Sequence, residues 1–80
     1  MISEITLFKK KFHKVLEPFK VMLAGRRNEM TQEEWVAFVE KTKESVLSHP
    51  DQYLGQELPP PNILRTIVQD IFDELIKRMS

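Results

Sequence analysis

The stretch PPPNILRTIVQDIFDELIKRM, residues 59–79, is the most apolar periodic run in the chain. Three prolines open it, which suits a helix start because first-turn amides have no intrahelical partner to lose. Beyond Asn62, residues Leu64, Ile67, Val68, Ile71, Leu75 and Met79 recur at helical spacing within a stripe about 120° wide. Ile63, Phe72 and Ile76 fall outside it and widen the apolar arc to about 220°. One neighbouring helix cannot cover so much. The segment 62–79 is therefore expected in the middle of a bundle, or partly against another chain.

Two earlier segments supply the neighbours. In the first, Ile5, Phe8, Phe12, Val15, Leu16, Phe19, Met22 and Leu23 share one stripe, with Ser3 as candidate N-cap and Gly25 beyond the C-terminus. Pro18 removes one backbone bond and clashes with the carbonyl of Lys14. The stripe keeps its phase on both sides of Pro18, which favours one kinked helix over 3–24. The alternative is two short helices with Pro18 in the first turn of the second. The second segment, 32–48, opens on a capping box, Thr31 to Glu34, with Met30 and Trp35 placed as a hydrophobic staple. Trp35, Phe38, Val39, Thr42 and Val46 then repeat at helical spacing, while Glu33, Glu40 and Glu44 take the opposite face. His49-Pro50 ends it. Between the second and third segments, Tyr53 and Leu54 are the expected anchors of a connector that carries a turn before Gly55. The expected fold is an all-α, three-helix bundle in one domain, with the first helix kinked at Pro18.

Composition narrows the function. The 80 residues contain no cysteine, which excludes disulfides, thiolate metal sites and cysteine nucleophiles. Only two glycines occur, so no glycine-rich phosphate loop can form. No apolar run approaches a membrane span and no charged-then-apolar leader opens the sequence, so a cytoplasmic location is expected. The histidines, His13 among lysines and His49 before Pro50, lack a well-placed nucleophile. Ser48 adjoins His49, but adjacent helical residues point apart. Asp70, Asp73 and Glu74 read as a solvated acidic face, since no Glu-x-x-His motif or calcium loop accompanies them. Neither a metal nor another cofactor is expected, and the chain reads as non-enzymatic.

Charge is balanced at twelve basic and twelve acidic residues, but it is divided along the chain. Residues 1–30 carry seven basic and three acidic side chains, and residues 31–80 carry five basic and nine acidic. The leading expectation is a small adaptor or regulator that binds another protein, or a second copy of itself, through an apolar helical surface. Phe72, Ile76, Arg65 and Ile63 are the candidate contact residues, because aromatic and arginine anchors dominate interface energy. The alternative is a nucleic-acid-binding protein using Lys10, Lys14, Lys20, Arg26 and Arg27. Leu7, Val21, Val36 and Leu47 fall off the core stripes, and they would mark an interface if they grouped.

Overall fold

The computed structural model describes residues 4–79. The candidate N-cap Ser3, the first position of the expected 3–24 helix, lies outside the described residues. The described residues form five α-helices: α1 (Glu4–Val15), α2 (Glu17–Gly25), α3 (Gln32–Ser48), α4 (Pro50–Leu54) and α5 (Pro61–Met79). A single 3-10 turn, Arg27–Glu29, joins α2 to α3. All the regular structure among the described residues is helical.

The first segment is two helices rather than one kinked helix. The break falls at Leu16, two residues before Pro18, which occupies the first turn of α2. A proline has no amide to return to the preceding turn, and its ring crowds the carbonyl four residues back. Leu16 adopts φ −87° and ψ 0° as the helix resets. The bonds around the break survive, with Leu16 N donating to Phe12 O at 2.8 Å and Lys20 N to Leu16 O at 3.0 Å. Phase survives with them, since Phe12, Leu16 and Leu23 are all fully buried. The N-terminal end and one rim of the expected stripe do not reach the core. Ile5, Val15 and Met22 are 49%, 39% and 38% exposed. Val15 and Met22 lie about 80–100° round the helix from the line of Phe12, Leu16 and Leu23, too far to turn inward.

α3 begins as its sequence demands. Thr31 Oγ1 accepts from Glu34 N at 3.2 Å, and Glu34 Oε1 accepts from Thr31 N at 3.0 Å. Trp35 is fully enclosed, and its Nε1 donates to the carbonyl of Leu23 at 2.7 Å. That bond fastens the start of α3 to the end of α2. The connector holds α4, whose Leu54 is buried and whose Tyr53 meets Phe19 edge-on at 5.4 Å. Gly55 ends α4 at φ +94°, a conformation that side chains with a Cβ resist.

α5 packs along α1 on one side and α3 on the other. Its fully or nearly enclosed residues are Leu64, Ile67, Val68, Ile71, Phe72 and Leu75, an arc of about 140°. Phe72 is 0% exposed, which corrects its assignment as a contact residue: with helices on both flanks, its edge of the arc is core. Ile63 and Ile76 are half-buried, one on each margin.

The molecule is long for its mass, 40 × 26 × 20 Å, with a radius of gyration of 12.8 Å against about 11.6 Å expected. Its accessible surface of 5555 Å² exceeds the roughly 5,000 Å² typical of 9.5 kDa. Replacing Phe72 by Ala is expected to lower stability by about 3–5 kcal/mol, read as a lower urea midpoint. Arg65→Ala, on the exposed side of the same helix, stays within about 0.5 kcal/mol. A Phe72→Ala variant as stable as its parent would contradict this packing.

Candidate interaction face and charged network

Of the four contact residues expected on α5, only Arg65 is fully exposed. Ile63 and Ile76 sit on opposite margins of the buried arc, about 140° apart across the solvent side, so they do not share a patch. Ile76 instead borders a shallow groove between α1 and α5 with Lys9, Asp70 and Glu74. α5 thus presents no continuous apolar surface.

The five candidate nucleic-acid residues are also divided. Arg26 lies over the Phe38 ring at 5.8 Å and Arg27 over the Trp35 ring at 5.7 Å. Arg27 also donates to Gln32, while its Nε is buried without a hydrogen-bond partner. These two arginines stitch the 3-10 turn onto α3. Lys20 pairs with Glu17 at 3.0 Å and is largely shielded. Lys10 and Lys14 remain exposed on the outer side of α1.

Lys20 belongs to a chain of charges that joins α1, α2 and α5. Its ammonium donates to His13 Nδ1 at 3.1 Å, so that nitrogen carries no proton. The imidazole is then the Nε2–H tautomer, with Nε2 pointing at Glu74 Oε2 across 3.4 Å. Glu74 accepts from Lys9 at 2.9 Å through its other oxygen. Burial pushes the His13 pKa below its ordinary value, Lys20 and Lys9 push the same way, and Glu74 and Glu17 oppose them. The Nε2 side of the ring thus faces the Glu74 carboxylate at 3.4 Å, a contact that gains charge only when His13 is protonated. The Lys9 hydrogen bond holds the Glu74 carboxyl below the usual range, and the same bond raises Lys9.

Among the described residues, exposed hydrophobic bulk is confined to the first two helices: Ile5 49%, Leu7 54%, Val15 39%, Val21 63% and Met22 38%. Because Phe12, Leu16 and Leu23 stay in phase across Leu16, one projection serves both helices. On it, Val21, Lys14, Leu7, Pro18, Lys11, Met22 and Val15 occupy one outward arc about 120° wide. All seven are exposed. Leu7 and Val21 already stood apart from the core pattern in sequence. Val15 and Met22 did not, since periodicity cannot tell the rim of a core stripe from its centre. The charge chain was also hidden, because His13 and Glu74 are 61 positions apart.

Three helical hydroxyl groups are occupied locally. Thr42, Ser45 and Thr66 each donate to the carbonyl four residues back. Among the described residues no three His, Asp or Glu side chains are grouped so that they could hold a metal ion. No described helix is long and apolar enough to cross a membrane. Comparison of the chain with protein-family models, curated proteins and solved structures returns no match.

The charge chain makes stability depend on pH. An unfolded His13 takes up a proton near pH 6.5, whereas the folded ring resists it. Stability is therefore full above about pH 6.5 and falls as the pH drops through and below that value. A further loss follows below about pH 4.5, where Glu34 and Glu74 must protonate to fold no better than they unfold. Thermal melts between about pH 7.5 and 5.5 should show a falling midpoint, and His13→Gln should flatten that slope while keeping the acid step. An unchanged slope in His13→Gln would remove His13 as its source.

Proposed function

We propose that the chain is a non-enzymatic protein-binding module, an adaptor or regulator, whose contact surface is the outer face of α1 and α2. The observation that carries this reading is that, among the described residues, the large exposed hydrophobics all lie on α1 and α2, four of them (Leu7, Val15, Val21 and Met22) on the outward arc. Apolar side chains scattered singly need no explanation, whereas four on one arc of two in-phase helices, interleaved with lysines, suit an amphipathic contact surface. A homodimer is one form such binding takes.

The competing reading is nucleic-acid binding through Lys10, Lys14, Lys20, Arg26 and Arg27. Three of these five cations are engaged with Glu17, His13, Phe38, Trp35 or Gln32, which weakens it. Every Phe, Tyr and Trp ring is at least half-buried, so none of these is offered for stacking on bases.

A photo-crosslinking residue placed in turn at Leu7, Val21 and the exposed α5 position Gln69 separates these readings in cells. Protein adducts identified by mass spectrometry are expected at 7 and 21, and not at 69. Equal labelling at all three sites, or none, would overturn the assignment. Retention on DNA with a log–log salt slope near −4 to −5, the value for about five phosphate contacts, would restore the competitor.

A further inference from the structure

The outward arc of α1 and α2 has an internal order. Leu7, Lys11, Lys14, Pro18 and Val21 are spaced by 4, 3, 4 and 3 residues. That mean of 3.5 is the period that keeps one seam of a helix facing another helix. The seam is about 80° wide and about 21 Å long. It carries two lysines and no acid. Glu17, the one acid between residues 5 and 25, lies off the seam and pairs with Lys20. Lys11 touches Glu57 at 3.7 Å, an exposed pair of the kind that contributes little and exchanges readily.

α3 carries the counterpart. Glu33, Ala37, Glu40, Glu44 and Leu47 repeat the same spacing over the same number of residues. They fall in an arc about 80° wide, centred about 140° from the line of Trp35, Val39 and Val46 that enters the core. Glu33, Ala37 and Glu44 are exposed, and Glu40 and Leu47 are half-buried. This seam holds three acids and no base; Glu40 is paired with Lys43 beside the seam, so the charge it offers comes chiefly from Glu33 and Glu44. Resting on the reading above, we propose that the occupant of the α1–α2 face is a second copy of this chain, which lays its acidic α3 seam along the basic one.

Two features favour a helix over the other anionic surfaces. Lys11 and Lys14 lie inside the apolar arc, between Val21 and Met22 in projection, so the face cannot sink into acyl chains without burying them. The aliphatic side chains of Leu7, Val15, Val21 and Met22 offer phosphates nothing, whereas a facing Ala37 and Leu47 give them apolar partners. Each seam is small against the roughly 800 Å² per partner of a standard interface, so the association is weak and salt-dependent. Unlike seams pair, which leaves one of each free at the ends of an open assembly.

Sedimentation or light scattering over a concentration series at low salt tests this with the protein alone. Weight-average mass is expected to rise from 9.5 kDa to about twice that value towards millimolar concentration, and to return to the monomer near 0.5 M salt. Lys11→Glu with Lys14→Glu is expected to abolish the rise, as is Glu33→Lys with Glu44→Lys. An equimolar mixture of the two double variants restores it, because each retains the seam the other lacks. If either double variant melts early, the single pair Lys14→Glu and Glu44→Lys gives the same comparison. A strict monomer, a rise indifferent to these charges, or a mixture that stays monomeric would overturn the proposal. So would sedimentation with anionic phosphatidylserine vesicles in place of self-association. A strict monomer that still gives protein adducts at 7 and 21 sinks the second copy and leaves the binding module standing.

Discussion

The two edges of the α5 arc, Ile67 on one side and Phe72 on the other, must both leave water, and they face away from each other. No single helix can shield both, so two helices have to flank α5. α1 and α3 both pack along α5, with α1 on the side of Glu74. The remaining features serve that sandwich. The 3-10 turn and the Trp35 bond to Leu23 set where α3 starts, and α4 with the buried Pro59 returns the chain to the point where α5 must begin. Gly55 allows the turn that this return requires.

Closing the core over one arc of α5 leaves surplus apolar surface on α1 and α2. Their inward line needs only Phe12, Leu16 and Leu23 to close the core, and Phe8 and Phe19 fill in behind. The chain nevertheless places Leu7, Val15, Val21 and Met22 on the same two helices, where the core does not enclose them. Charge follows the same division. Lysines crowd the helices with spare apolar surface, while acids line the opposite face of α3. A neutral total conceals two oppositely charged sides, and their separation gives contact through this surface its direction.

Much of the fold was legible in the residues. The Thr31–Glu34 capping box, the proline launch of α5 and the periodicity of all three segments act locally, over a turn or two of chain, and sequence reports such effects directly. Pro18 was legible as an obstacle but not as a break. The penalty of an interior proline and the benefit of an unbroken stripe are similar in size, and the stripe kept its phase through either outcome. Phe72 was misread for a different reason. Whether a rim residue is core or surface depends on how closely the third helix approaches, which is a property of packing and not of period. The same gap hid Val15 and Met22 on the opposite error, core by pattern and exposed in space. His13 and Glu74 meet only because α1 and α5 lie side by side, and nothing in the local sequence of either announces the other.

The indole of Trp35 is the only one in the chain, wholly enclosed and hydrogen-bonded to the carbonyl of Leu23. Arg27 stacks on its ring from the turn between α2 and α3. The molecule thus carries a native fluorophore at the joint where the helices bearing the basic and acidic seams meet. Its emission colour and quenching report strain or loosening at that joint without an added label.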